Sequence, residues 1–322
     1  MKNTIQVVVL VATLFALQFA PQQVFAGEQK AVLITGASTG IGRHLAEALA
    51  ADGHHVYAGA RKEKDLAELN AIENITAVQL DVTSQEQIDA AAALVQESGT
   101  GLWALVNNAG VGGGGRIADT PIDDQNFVYR VNVEGVYRTT KSFAPLIIES
   151  KGRIVTTGSI AGTIAWPGGS AYSGSKHWIE AFTDSLAGEM EQHGVSASVV
   201  EPGNYKSNIR RSSVSRELSQ IEKAGGEVTE EMKADYEKTA ARELSYKEPD
   251  EVTEAFMHAL FSDEPLLRYM VVPNEQESQR TIETKFNELV QLNTWSPHGF
   301  SRDELVAMLD KALSPEPEEE EE

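Results

Sequence analysis

The chain has 322 residues, 48 acidic against 27 basic, a net charge of −21 and no cysteine. That length, with 41% hydrophobic residues, suits one large α/β domain or two smaller ones. The acidity argues against nucleic acid, whose phosphates require an excess of Lys and Arg, and the missing cysteine excludes a disulfide scaffold, a Cys-based zinc site and a cysteine nucleophile.

Residues 1–26 begin Met1-Lys2, run uncharged and apolar over 5–20, break at Pro21-Gln22-Gln23 and place Val24 and Ala26 ahead of Gly27. A positive start, an apolar middle and small residues before a cut are the layout of a secretory signal peptide. An uncleaved anchor helix is the alternative, although the apolar run falls short of the ~20 residues that span a bilayer. Either way the body is expected to be exported (periplasmic, secreted or lumenal) or held at a membrane through this segment.

Short β-branched runs then alternate with longer Ala-, Leu- and Glu-rich stretches. Strands are predicted over residues 31–35, 55–58, 76–80, 102–106, 152–156, 195–200 and 268–272, with helices over 41–51, 84–97 and 125–149. Continuous apolar strands separated by helices imply an α/β fold, a doubly wound parallel sheet covered on both faces. No repeat and no Gly/Ser linker divides the chain, so residues 27–313 read as one domain. Two stretches stand outside the alternation. Residues 208–248 are polar and helical, with Met232, Tyr236, Ala240 and Leu244 on one face. Residues 274–313 carry apolar stripes at Ile282, Phe286, Leu289, Val290 and at Leu305, Leu309, Leu313, which are expected to pack into the core. The end, residues 314–322, is mostly Glu and reads as a disordered, solvating tail.

Between the first strand and the first helix lies Thr35-Gly36-Ala37-Ser38-Thr39-Gly40-Ile41-Gly42. Glycines let the backbone turn sharply and approach a phosphate, while the helix start presents unpaired N–H groups to it. In this strand-to-helix context the turn reads as a dinucleotide site of the Rossmann type. The second strand ends Ala60-Arg61, without the carboxylate that would accept from the ribose hydroxyl of NAD. Arg61 suits the extra phosphate of NADP, so NADP(H) is favoured over NAD(H); the alternative is a solvated turn arginine.

These features resemble the short-chain dehydrogenase/reductase family, nearest its retinol and steroid dehydrogenase-like branch. The glycine turn, Asn107-Asn108-Ala109-Gly110, Ser159, Tyr172-x-x-x-Lys176 and Pro202-Gly203 occur in the family's order and spacing. The likeness runs from about residue 30 to 272. It implies that Tyr172 is the proton donor to a carbonyl or base toward an alcohol, that Ser159 orients the substrate oxygen, and that Lys176 holds the nicotinamide ribose. Asn132 matches a fourth catalytic member that anchors a water, though a helix-interior Asn bonding backbone is the plain alternative. The resemblance further implies cofactor contacts from Gly36, Ser38, Thr39, Gly40, Ile41, Gly42, Asp81, Val82, Asn108, Ala109, Gly110, Tyr172, Lys176, Pro202, Gly203 and Ser207, and places Asn107 along the cleft. Four residues apart on a helix, Tyr172 and Lys176 share a face. A free phenol titrates near ~10, and the Lys176 ammonium with an oxidised nicotinamide is expected to lower it.

The run Gly112 to Gly115 has no family role and reads as a mobile loop near the cleft. The seven histidines show no metal-ligand spacing, so no metal is expected. Tyr205, Ile209, Val214, Leu218 and Ile221 suggest an apolar lid, and the resemblance of Glu201-Pro-Gly-Asn-Tyr205 and of residues 56–61 to the retinol and steroid dehydrogenase branch implies a lipophilic substrate. The reading is therefore an NADP-dependent oxidoreductase interconverting an alcohol and a ketone or aldehyde. A non-catalytic NADP-binding sensor on the same fold is the alternative, disfavoured by the intact Ser159, Tyr172 and Lys176, while export away from cytoplasmic cofactor pools speaks for it. An epimerase or dehydratase is a weaker third reading. The resemblance implies homo-oligomers through helices 125–149 and 171–193.

Overall fold

The computed structural model describes residues 29–223 and 225–314. The signal-like segment and the run of Glu after Ser314 lie outside the described residues. Among the described residues no helix is long and apolar enough to cross a membrane.

The elements in chain order are β1 (Ala31–Ile34), α1 (Gly40–Ala51), β2 (His55–Ala60), α2 (Glu63–Asn70), β3 (Ile75–Gln79), α3 (Gln85–Ser98), β4 (Ala104–Asn107) and α4 (Ile122–Tyr129). A π-helical turn (Arg130–Glu134) leads into α5 (Gly135–Ser150), followed by β5 (Arg153–Thr157), a 3₁₀ turn (Ile160–Gly162), α6 (Ser170–Glu191) and β6 (Ser196–Pro202). The chain closes with α7 (Ile209–Lys223), α8 (Glu230–Leu244), α9 (Asp250–Phe261), β7 (Arg268–Val271), α10 (Glu275–Thr294) and α11 (Arg302–Leu313). All seven strands are parallel, in the order β3-β2-β1-β4-β5-β6-β7. The order reverses between β1 and β4, and the crevice beyond the carboxyl ends of those strands is where such sheets bind ligands.

Period-two alternation explains why the strands are apolar throughout. Along β1, Val32 and Ile34 enter a core with Leu45 and Leu49 of α1 and Phe256 and Leu260 of α9. Ala31 and Leu33 enter the other, with Ile88 and Val95 of α3 and Phe143 and Ile147 of α5. Each fully buried Leu, Ile or Phe contributes roughly 1.5–3 kcal/mol, so both faces stay covered. Local signals fix the helix ends. At α3, Ser84 accepts from the Gln87 N–H at 3.3 Å, and Gly99 closes the helix in the left-handed region at φ 69°.

One expectation needs correcting. Residues 125–149 are helical throughout, with the π-helical turn at Arg130–Glu134 joining α4 to α5. Residues 208–248 form two helices, and Met232 and Leu244 on the second are exposed. The stripe of residues 274–313 is not core, since Ile282, Phe286, Leu289, Val290, Leu309 and Leu313 are all exposed. Amphipathic spacing reports a face, and not whether anything in the same chain covers it.

Candidate active site

Beyond the carboxyl ends of the strands lies a cleft of about 270 Å³. The glycine turn lines one end, from Gly36 through Ser38, Thr39, Gly40 and Ile41 to Gly42, together with Arg61, Asp81, Val82, Asn108, Ala109 and Gly110. Ser159, Tyr172, Lys176, Pro202, Gly203 and Ser207 line the same cleft. The structure thus brings together the residues singled out from the sequence as site candidates except Asn107 and Asn132, which are buried and do not line the cleft.

The glycine turn is shaped by close backbone approach. Gly36 has φ 67°, and a Cβ there would stand 2.8 Å from the Ala109 Cα. A Cβ on Gly42 would meet the Asn108 Nδ2 at 2.2 Å and the Gly36 carbonyl oxygen at 2.7 Å. That Asn108 amide donates to the Thr35 carbonyl at 3.0 Å and to the Gly36 carbonyl at 3.1 Å. The Thr35 hydroxyl oxygen accepts from the N–H groups of Asn108 and Ala109, both at 2.9 Å. The β1 and β4 loops are therefore knitted edge to edge. Helix α1 then opens with no side-chain cap and no acidic residue in its first turn, so its N–H groups and positive dipole end face the cleft.

Two neighbouring residues were placed less fully by the sequence. Asn107 is buried rather than cleft-lining: it donates to the Thr140 hydroxyl at 2.9 Å and accepts from the Thr139 hydroxyl at 2.6 Å, which ties β4 to α5. Arg61, just after β2, is largely exposed, and its guanidinium lies 3.9 Å from the Asp81 carboxylate. The sequence shows no carboxylate next to Arg61; β3 pairs in parallel with β2 and carries Asp81 to it.

At the other end, the Ser159 hydroxyl donates to the Pro202 carbonyl at 3.3 Å and accepts from the Ala161 N–H at 3.1 Å. The 3₁₀ turn after β5 thus fixes it. Tyr172 and Lys176 share one face of α6, with the ammonium 5.8 Å from the phenol ring centre. Lys176 donates to the Thr157 carbonyl at 2.7 Å, and burial lowers it to about 8, with Glu180 opposing. The expected lowering of Tyr172 does not hold for the protein by itself. The residue keeps some exposure, yet desolvation raises it above its ordinary value; the Ser159 hydroxyl and Arg210 pull the other way only in part.

Asn132 lies in the π-helical turn, a common insertion at functional sites. Its side chain accepts from the Val111 N–H at 2.8 Å and donates to the Val111 carbonyl and the Ser175 hydroxyl, both at 3.0 Å. It pins the loop after β4 to α6. The glycine run lies against α7: Arg216 donates to the Gly112 carbonyl at 2.7 Å, with its guanidinium 4.4 Å over the Phe127 ring. A Cβ on Gly113 would meet Val128 at 2.7 Å and Arg216 at 2.9 Å, so small residues let α7 settle there.

Sequence reading missed two buried carboxyl sites. Glu180 and Glu201 face one another behind Gly158, and burial followed by the Glu180 charge lifts Glu201 to about 7. Glu243 of α8 is 2% exposed and bonds the start of α7. Neither belongs to a motif, and only the tertiary fold brings each to its partners.

Comparison with known proteins agrees with this geometry. Residues 30–218 match the model of the family described as short chain dehydrogenase. The mitochondrial D-beta-hydroxybutyrate dehydrogenase of Rattus norvegicus is 35% identical over 267 residues, covering 77% of this chain and 78% of the relative. Retinol dehydrogenase 16 of Homo sapiens is 34% identical over 260 residues, covering 74% and 80%. A solved short-chain dehydrogenase from Streptomyces avermitilis superposes with a TM-score of 0.67 at 27% identity, covering 88% of this chain and 99% of that one. The chain belongs to the short-chain dehydrogenase family, as an NAD(P)-dependent oxidoreductase acting on a CH–OH group or its carbonyl counterpart.

Proposed function

We propose that this enzyme interconverts a lipophilic alcohol and its ketone or aldehyde with NADP(H), using Tyr172 as the proton donor or base. The observation that carries the reading is the convergence of Ser159, Tyr172 and Lys176 at one end of the cleft whose other end is the glycine turn. The dinucleotide fits the residues present, because the positions nearest the turn are those where a Cβ would collide and the adjoining helix start is uncapped. Gly36 to Gly42, Asp81, Val82 and Asn108 to Gly110 would hold the adenosine and pyrophosphate portion. Lys176, Pro202, Gly203 and Ser207 would hold the nicotinamide portion. When bound, the nicotinamide supplies or accepts the hydride.

The chain's own work is proton handling and orientation. In the reductive direction the Ser159 hydroxyl donates to the substrate carbonyl oxygen, and the Tyr172 hydroxyl delivers the proton to that oxygen. A phenol held high by burial stays protonated at neutral pH and is ready to donate. In the oxidative direction it must first ionise, and the Lys176 ammonium in the same pocket offsets that charge. Asn132 supports the relay by fixing Val111 and Ser175 around it.

Arg61 supports NADP(H): its guanidinium at the end of β2 is largely exposed and pairs only at 3.9 Å with Asp81, which leaves donors for a phosphate. Retinol dehydrogenase 16 among the relatives and Ile209 along the cleft support an apolar substrate. The D-beta-hydroxybutyrate relative supports a small hydroxy acid as the competing class. Export or membrane attachment through residues 5–20, and assembly through α4, α5 and α6, belong to the same proposal; the exposed Ile122 and Tyr137 support the assembly.

The test is oxidation of NADPH and NADH by the purified protein across lipophilic ketones and aldehydes, with acetoacetate as the small-acid control. Turnover that prefers NADPH and a lipophilic carbonyl is the expected result. Tight NADPH binding with no turnover on any carbonyl would support a cofactor sensor instead.

A further inference from the structure

Helix α7 closes over the cleft, yet it has no buried residue. Its apolar residues Ile209, Val214, Leu218 and Ile221 are only half-buried, and polar contacts fix its start. At its start, the backbone N–H groups of Arg210 and Arg211 donate to the two carboxylate oxygens of Glu243, at 2.9 and 3.0 Å. The Ser207 hydroxyl donates to the same carboxylate at 3.2 Å and accepts from the Ile209 N–H at 3.4 Å. Glu243 comes from α8 and is almost fully buried. A buried carboxylate needs partners, and these are two helix-start amides and one hydroxyl, which it also caps electrostatically. The Arg210 and Arg211 side chains point elsewhere, to Asn204 and Asn208.

Ser207 links this clasp to the chemistry. It lines the cleft, and its Cα lies 3.5 Å from where a Cβ on Gly40 would stand, so it faces the glycine turn across the cleft. A hydroxyl whose hydrogen is directed at Glu243 has a fixed orientation and leaves its remaining lone pair for a donor such as a carboxamide N–H.

We propose that Glu243 is a positioning residue that clasps the start of α7 and orients the Ser207 hydroxyl toward the nicotinamide end of the cofactor. The proposal rests on the reading of Ser207 as a nicotinamide contact. Glu243 touches neither cofactor nor substrate; it acts through Ser207 and the α7 backbone. A carboxylate is suited to the task because one group can accept from three donors at once, and a neutral amide has only one oxygen to offer.

The test uses the full chain with Glu243→Ala, Glu243→Gln, Ser207→Ala and the double variant Glu243→Ala/Ser207→Ala. Hydrogen exchange at the Arg210 and Arg211 amides, measured without cofactor, reads the clasp. The NADPH dissociation constant and the split between KM and kcat read the positioning. Glu243→Ala is expected to speed exchange at both amides at least tenfold and weaken NADPH at least tenfold, with kcat at saturation within threefold and the melting temperature of the core unchanged. Glu243→Gln should recover part of both effects. The losses in the double variant should fall well short of the product of the single ones, because both act through one hydroxyl. Unchanged exchange overturns the clasp. Faster exchange with unchanged NADPH binding, or fully multiplicative losses, overturns the positioning role. A wild-type protein that binds neither NADPH nor NADH defeats the positioning role together with the proposed function, while the exchange measurement still decides the clasp. Glu243→Gln keeps the decision open should the alanine variant fail to fold.

Discussion

Lys176→Met removes a buried charge while keeping an unbranched chain of similar length. The Lys176 residue is 5% exposed, and burial brings its ammonium from 10.5 to about 8. That difference corresponds to a cost of about 3 kcal/mol for holding the charge in the folded protein at pH 7. The variant loses the bond from Nζ to the Thr157 carbonyl at 2.7 Å, and the carbonyl left without it costs roughly 1–3 kcal/mol. The variant should therefore be equal to the wild type or up to about 2 kcal/mol more stable at pH 7, although carbonyl reduction falls by about 10²–10⁴-fold. The pH dependence is the sharper part. Below 8 both folded and unfolded wild type carry the proton, so the difference between the two proteins is constant. From pH 8 to 10.5 the unfolded chain still binds a proton that the folded one has lost, so the wild type gains on the variant by up to about 3 kcal/mol. Titrating groups other than Tyr172 and Glu180, which neighbour Lys176, are common to both proteins and cancel. Urea unfolding at pH 7, 8, 9 and 10 measures this directly. A stability difference that stays flat from pH 7 to 10 would refute the reasoning, because Lys176 would then titrate alike in both states.

Gly42→Ala drives a Cβ into the Asn108 amide and the Gly36 carbonyl, disrupting two hydrogen bonds worth about 1 kcal/mol each; titration calorimetry should show NADPH affinity down at least tenfold. Arg61→Ala should weaken NADPH about tenfold while leaving NADH within about threefold, since only the former carries the phosphate an arginine selects; equal losses, read from steady-state kinetics with both cofactors, would remove Arg61 from the selector role. Expression of the full chain in a cell with an export pathway should yield a mature protein beginning at Gly27, or one retained in the membrane fraction with Met1 intact. N-terminal sequencing and fractionation read this, and an uncleaved protein in the soluble cytoplasmic fraction would contradict both forms of the expectation.

What the sequence made legible was what local chemistry writes down. The strand-to-helix context of Gly36 to Gly42 identified the turn, because a glycine there answers to its own backbone and its nearest crossing strand. The spacing of Tyr172 and Lys176 put them on one helical face, as the geometry of α6 requires. Residues whose partners come from distant elements were harder to read. Asp81 reaches Arg61 only through the β2–β3 pairing, Glu243 reaches Arg210 and Arg211 only by the packing of α8 against α7, and Glu201 meets Glu180 only across the β6–α6 interface. The raised value of Tyr172 in the protein by itself is hidden for a related reason: a neighbouring ammonium is visible in the sequence, whereas desolvation by the surrounding protein is not. The stripes of α10 and α11 show the converse failure, in which a local pattern is present but no element of the described chain buries it.

Proton transfer by Tyr172 in a hydride-transfer reaction is read with NADPH carrying deuterium at both C4 positions of the nicotinamide, a carbonyl substrate found in the panel, and the wild-type and Tyr172→Phe proteins. Deuterium is expected at the carbinol carbon of the wild-type product, and Tyr172→Phe is expected to bind NADPH within about threefold of the wild type but to form product at least about 10²-fold more slowly. Deuterium transfer at an undiminished rate in Tyr172→Phe, or product free of label, would contradict it.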